Sequence, residues 1–345
     1  MGLGTPAWGG HAVTSHEDSI EMLTLIGTRV ERLLEGRNAW TNVYGVARSV
    51  LALGTLLTLA TSHSTTLFRS ASGTLTAPIC GGPASISLFC VATSERLELA
   101  RWCSVVLLVI VASGWRPRIT GLIHWYVAYS VMVSSILVDG GDQVTGVLAA
   151  LLIPVCLTDP RRWQWDRYVT GDNSTWHKKA LSLLALSSIL VIRLQVAGIY
   201  FHAAVAKMAV PEWTDGTAVY YWFTDPRFGL PDWLKPVVVP ILQTAIGVSA
   251  LTWGAMLLEV TLFMGLVVAK PYRKYLLVAG LLFHTAIALV HGLVSFGLAM
   301  FGALILYLRP TELEFAHVFN WRLLFSVPRV RFVGRYASTA GSSQA

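Results

Sequence analysis

Residues 193–228, RLQVAGIYFHAAVAKMAVPEWTDGTAVYYWFTDPRF, decide how the rest of the chain is read. The stretch opens as an apolar helix long enough to span a membrane, yet Arg193, Gln195, His202 and Lys207 lie inside it. It breaks at Pro211 into a loop dense in Trp, Tyr and Asp. An ionisable side chain in hydrocarbon is unfavourable by roughly 2.5–3.5 kcal/mol on insertion scales, so each of these groups requires a reason.

Working outward, 54% of the residues are hydrophobic and 13% charged, and the mean hydropathy is +0.59. Such a composition excludes an ordinary soluble domain and predicts an all-α, polytopic transmembrane helix bundle. The net charge of +7 does not point to nucleic acid. Its basic residues sit in short clusters beside apolar runs, as topology signals do, so the surrounding partner is membrane lipid.

Apolar runs able to cross ~30 Å of hydrocarbon fall near residues 44–61, 98–114, 119–137, 143–158, 180–208, 250–269, 275–292 and 294–308. Eight spans place both termini on one side. Arg116 and Arg118, then Arg161, Arg162, Arg167, Lys178 and Lys179, then Lys270, Arg273 and Lys274, and finally Arg309 onward mark alternate loops as cytoplasmic. The expected parts are a cytoplasmic arm at 1–43, a membrane domain at 44–308 and a basic cytoplasmic tail at 309–345 whose Ser/Gly/Gln end is disordered. The arm lacks the order of a signal peptide, and its Ile20, Leu23, Ile26, Val30, Leu33 and Leu34 recur at the spacing of an amphipathic surface helix. The apolar run 236–269 is too long for one span and short for two. Pro236 and Pro240 predict a re-entrant or interfacial helix over 236–249, followed by one span through Glu259.

Cys80 and Cys90 share the first outer loop, where they are either two unrelated thiols or, the preferred reading, a disulfide. Cys103 and Cys156 fall in spans and read as packing residues. With no CxxC and no HExxH, no metal site is expected.

Arg193, Tyr200 and Lys207 are seven residues apart and drift by only ~20° per step, so they share a stripe with Ala197 and Ala204. Gln195, Gly198 and His202 form a second stripe nearly opposite. A helix polar on two faces is expected at the centre of the bundle, with Glu259 neutralising Arg193 as a buried ion pair. Lys207 lies ~21 Å along the axis from Arg193, at the outer boundary if Arg193 is at mid-depth. Two readings of it stand: a snorkelling anchor, or a desolvated amine able to accept a proton. Trp213, Tyr220, Tyr221 and Trp222 are either a dry cover over such an amine or an interfacial aromatic belt. His284 falls at the middle of the seventh span and His291 follows on the same face; His124 is on the cytoplasmic side, away from Lys207. Asp139 and Asp142 flank a Gly–Gly turn that suffices to explain them.

The run YFHAAVAKMAVPEWTDGTAVYYWF (residues 200–223), followed by Phe283, His284, Ile287, Ala288 and Leu289 in a later helix and by MFGALILY, resembles the HTTM superfamily. Vitamin K-dependent gamma-carboxylases are its best-known members, and the SdpB-like proteins of sporulation-delaying-toxin systems are more similar. In the carboxylases the matching lysine deprotonates reduced vitamin K, which implies Lys207 as base, His284 as its helical histidine and a quinone/hydroquinone as cofactor. The SdpB-like resemblance implies a multi-pass factor of the bacterial plasma membrane that, with a companion maturation protein, matures a secreted antimicrobial peptide toxin of SdpC type from its precursor. The expected site is an outward-facing cavity holding Lys207, His284 and His202 as catalytic residues, with Tyr200, Trp213, Asp215, Tyr220, Tyr221 and His291 around them. The alternatives are a quinone-linked redox protein and a noncatalytic transporter or immunity protein, in which Arg193 and Glu259 merely hold the bundle together.

Overall fold

Every expected apolar run becomes a helix. A computed structural model describes residues 37–69, 78–92, 94–168 and 175–316, with isolated helical positions between 21 and 32. The arm at 1–43 therefore lies mostly, and the tail end beyond residue 316 wholly, outside the described residues. The first five long helices are α1 (Asn42–Thr61), α2 (Leu97–Ala112), α3 (Pro117–Ser134), α4 (Gly140–Thr158) and α5 (Trp176–Met208). Two short helices follow, α6 (Ala218–Thr224) and α7 (Lys235–Leu242), then α8 (Ala245–Phe263), α9 (Arg273–His291) and α10 (Val294–Leu308). Among the described residues there is no strand, only one isolated bridge between Trp115 and Trp163. The protein is an all-α helical bundle. Five of its helices, α1, α4, α5, α8 with its continuation to Leu266, and α9, are long and apolar enough to cross a membrane. Of the other expected spans, α2, α3 and α10 have 16, 18 and 15 residues and pack into the same bundle.

The long run 236–269 divides where Thr244 caps α8, its hydroxyl accepting from the Gly247 N–H at 3.1 Å. With 8 residues, α7 is ~12 Å long at 1.5 Å per residue, too short to cross. Two prolines explain the brevity: Pro236 sits in the first turn, where no helical N–H is missed, and Pro240 removes one inside the helix. By contrast α5, free of proline, runs for 33 residues, ~50 Å, and must tilt or protrude from a ~30 Å core.

The bundle has two chemically different ends. At one, Cys80 and Cys90 are joined in a disulfide, and that loop is tied to the end of α3 by the Ile79 N–H donating to the Ser134 carbonyl at 3.0 Å. At the opposite, basic end a polar network links α1, α3 and the segment after α4. Arg48 is fully buried there; its Nη1 donates to Gln164 Oε1 at 2.7 Å, and its Nη2 to the Thr120 hydroxyl. Gln164 donates in turn to the Gly45 carbonyl at 3.0 Å and the Ser49 hydroxyl at 2.8 Å. Asp159, also fully buried, accepts from Arg161 Nη2 at 2.7 Å, from Arg161 Nε and from the Tyr44 hydroxyl.

The centre of the bundle is α10 with α1, not α5. Ten of the 15 residues of α10 are buried, and the approach to α1 is so close that a Cβ on Gly302 would meet Leu51 Cγ at 2.6 Å. Small residues permit this, as is usual between membrane helices. The α5 helix buries only the side bearing Ala197, Tyr200 and Ala204. Its Gln195 and His202 face away from the core and are exposed, which corrects the expectation of a helix enclosed on all sides.

Candidate functional site

The site is assembled by the halves of α4, α5, α9 and α10 nearer the disulfide end and by α8 from Ala250 to Glu259. Side chains on a helix lean toward its N-terminus, so Lys207, in the last turn of α5, is directed back along the helix rather than out beyond it. Its Nζ lies 3.4 Å from the Ala203 carbonyl and donates to Glu259 at 2.7 Å (Oε1) and 2.9 Å (Oε2). Glu259 is fifteen residues into α8, past its midpoint. Lys207 therefore points into the bundle. The side chain is 22% exposed, against 7% for its carboxylate partner, and the ammonium lies 5.2 Å from the centroid of the Trp213 ring.

This pair corrects the expected partnership of Glu259 with Arg193. Arg193 is about two turns before Tyr200 and about four before Lys207 on the same helix, and its Nε finds no partner among the described residues. Both carboxylate oxygens of Glu259 go to Lys207 because the latter folds inward to meet them.

About two turns earlier on the same stripe, the Tyr200 hydroxyl and His284 Nε2 are 2.9 Å apart. Both are almost wholly buried, and His284 is held edge-on by the rings of Phe283 and Phe296. Its other ring nitrogen, Nδ1, is buried with no hydrogen-bond partner among the described residues.

A cavity of about 1280 Å³ joins these groups. Lys207, Glu259, Tyr200, His284, His202, Trp213 and His291 all line it. His202 makes no hydrogen bond to the others. His291 secures the cap formed by α6, α7 and their connections, its Nδ1 lying 2.7 Å from the Phe228 carbonyl. Asp215, Tyr220 and Tyr221, expected around the site, are not in the lining. Asp215 closes its own turn, accepting from the Thr217 hydroxyl at 2.6 Å, while Tyr220 and Tyr221 are exposed. Trp222 and Phe223 line the cavity instead. That choice was readable: Val219, Trp222 and Phe223 stand at i, i+3 and i+4, one face of a helix, with Tyr220 and Tyr221 off it. Gln143, Gln195 and Glu259 are the lining residues whose part in the site the sequence reading missed. A lone carboxylate in a span announces a cation, but two were available, and nothing in the sequence sets the register of α8 against α5.

Asp139 caps α4, accepting from the Asp142 N–H at 2.9 Å, and His124 is buried at the basic end beside Thr120 and Gly121 on α3. Among the described residues no three His, Cys, Asp or Glu side chains form a group that could hold a metal.

Comparison with known proteins gives two kinds of match. Residues 147–311, which contain Tyr200, His202, Lys207, Glu259, His284 and His291, match the HTTM domain. Sporulation-delaying protein SdpB of Bacillus subtilis (strain 168) is 35% identical over 294 residues, 85% of this chain and 88% of that protein. Uncharacterized protein YitO of the same strain is 41% identical over 292 residues, 84% of this chain and 92% of that protein. No solved structure matches.

Proposed function

We propose a function from one premise: this chain belongs to the SdpB-like family of HTTM-domain membrane proteins. On that premise it is an integral membrane factor in the maturation of a secreted antimicrobial peptide, working in the bacterial plasma membrane on a precursor and alongside a companion maturation protein. The basic clusters argue for both termini in the cytoplasm, which puts the disulfide and the cap on the oxidising side.

The observation that carries the chemical part is the enclosed Lys207–Glu259 pair beside the Tyr200–His284 hydrogen bond. A lysine–carboxylate pair in a site of low polarity can pass a proton from Nζ to Oε1 and become an uncharged amine and acid, since desolvation disfavours the separated charges. The amine then accepts a proton from a bound acid while Glu259 keeps the one it has already taken, and Trp213 holds the resulting ammonium over its ring. Tyr200 and His284 give the cavity a second place where a proton can be taken up or released.

The apolar and aromatic walls also suit a hydroquinone, the cofactor that the carboxylase resemblance implies. Lys207 and Glu259 are the residues that would hold its hydroxyl, and it would supply reducing equivalents. Bound quinone in gently extracted protein favours this redox reading.

The test is replacement of Lys207 by Met in the toxin-producing host. Mature peptide is expected to disappear while the amount of membrane-inserted protein stays at the wild-type level. Normal peptide from a well-expressed Lys207→Met protein overturns the proposal.

A further inference from the structure

We infer that the cavity is entered sideways from the bilayer, between α4 and α5, by an apolar segment of the peptide precursor whose main-chain amides pair with Gln143, Gln195 and His202. The inference rests on the peptide-maturation reading and names the form in which the substrate arrives.

The opening follows from where the two helices touch. They are bonded where the Ser188 hydroxyl of α5 donates to the Leu151 carbonyl of α4. Toward the disulfide end from that contact, Gln143 and Val147 on α4 and Gln195, Gly198 and His202 on α5 line the cavity and are at the same time exposed. A Cβ placed on Gly198 would meet nothing within 4 Å. At ~100° per residue the lining of α5 covers an arc of ~200°. Gly198, His202 and Gln195 are at its exposed edge, Ile199 and Ala203 form the floor, and Lys207 and Tyr200 stand at the enclosed edge. A ligand that enters at the first edge reaches the second by crossing the floor.

The chemistry of that edge selects the occupant. None of the three polar side chains has a hydrogen-bond partner among the described residues, although all lie on helices long and apolar enough to cross a membrane, and unpaired polar groups are unfavourable in hydrocarbon. A lipid acyl chain offers them nothing, an oxidised quinone ring offers acceptors only, and a hydroquinone offers two hydroxyls for three side chains. A peptide main chain offers N–H donors and C=O acceptors together, which is what two carboxamides and an imidazole match. An extended or unwinding peptide in lipid must satisfy those same groups. The volume of about 1280 Å³ also exceeds the roughly 300–1,000 Å³ usual for a small-molecule pocket.

The test places the photocrosslinker p-benzoylphenylalanine at position 147, where exposed Val147 lines the same edge without pairing to the peptide, or at exposed Ile246 on α8, in full-length protein in host cells that make the precursor. Illumination is expected to join position 147, and not position 246, to the apolar stretch of the precursor, identified by mass spectrometry of the adduct. Gly198→Leu, which fills the opening, is expected to lower both adduct and mature peptide at least tenfold at an unchanged membrane level. Gln195→Leu is the second variant if Gly198→Leu is poorly inserted, with the same expectation. Adducts with phospholipid or quinone only, equal adducts at 147 and 246, or full maturation by a well-inserted Gly198→Leu protein overturn the inference. The adduct is also read in a Lys207→Met background. Its presence there without mature peptide supports both proposals. Mature peptide there rejects the role of Lys207, and the adduct at 147 then decides the side entrance by itself.

Discussion

The bundle buries polar groups in two places and treats them differently. At the basic end, Arg48, Gln164, Thr120, Ser49, Tyr44, Asp159 and Arg161 bond one another across three segments of chain, and Asp159 alone accepts from two side chains. In the cavity, Lys207 has one charged partner, Tyr200 one neighbour, and His284 leaves Nδ1 unbonded beside open volume. A network of many mutual bonds fixes positions, even with Arg48 Nε left without a partner among the described residues, because any departure strands several polar groups in a medium that cannot solvate them. A group with one tether and room beside it can exchange partners. The first arrangement belongs to stability and the second to chemistry, and substitutions that cross the two effects would break the contrast.

The largest effect is expected from Asp159→Ala. It removes one half of a buried ion pair whose side chains are 0% and 4% exposed, and breaking such a pair destabilises by about 3–5 kcal/mol. The recovery of folded protein from membranes, followed by size-exclusion chromatography after heating, should collapse. Recovery equal to wild type would show that the network is incidental.

Next is Glu259→Gln, which keeps an acceptor for Lys207 but cannot take its proton. Folded protein should be recovered at near wild-type levels, since Lys207 retains access to the cavity. Mature peptide should fall by about two orders of magnitude, the scale of a lost proton-transfer group. Equal loss of folded protein would move the Lys207–Glu259 pair into the stability class and sink the contrast.

A third region calibrates the scale. The disulfide closes a loop with a sequence separation of 10, so a protein with both Cys80 and Cys90 replaced by Ser should lose about 2–3 kcal/mol in the chain-entropy model. Its thermal stability should drop, with maturation at permissive temperature intact, because neither cysteine lines the cavity. Lost maturation in a folded double variant would make the loop part of the site.

How far this contrast was legible differs between the two regions. Helix positions followed from apolar runs and prolines, since the cost of exposing polar backbone in lipid leaves few alternatives. Lys207 and His284 emerged from a motif in the sequence. Their partners did not, because pairing depends on the relative rotation and depth of α5, α8 and α9, which no local pattern encodes. Arg193 was the obvious cation for Glu259 when helices were treated as cylinders with charges. The lean of a lysine toward the N-terminus of its own helix reversed that choice. The network at the basic end was not foreseen at all: Arg48 is the seventh residue of α1, and Gln164 lies in a loop 116 residues away.

The smallest and sharpest comparison makes one chemical change in both places. Tyr44→Phe removes a hydroxyl that donates to the ionised Asp159, and hydrogen bonds to charged groups contribute about 1.5–3 kcal/mol. Tyr200→Phe removes a hydroxyl bonded to a ring nitrogen, a neutral pair worth about 0.5–1.5 kcal/mol. Neither substitution changes the volume of the ring, so cavity formation does not enter. In the first case Asp159 keeps Arg161, and the loss should register as lower thermal stability with the yield of peptide per folded molecule unchanged. In the second, His284 is left with both nitrogens unbonded but next to the cavity, where an entering group or water can serve it. The expected result is nearly wild-type stability and a severalfold fall in peptide per folded molecule, since about 1.4 kcal/mol corresponds to a factor of ten. If Tyr200→Phe instead destabilises as much as Tyr44→Phe and leaves maturation untouched, Tyr200 and His284 belong with the packing groups, and the chemistry must rest on Lys207 and Glu259 alone.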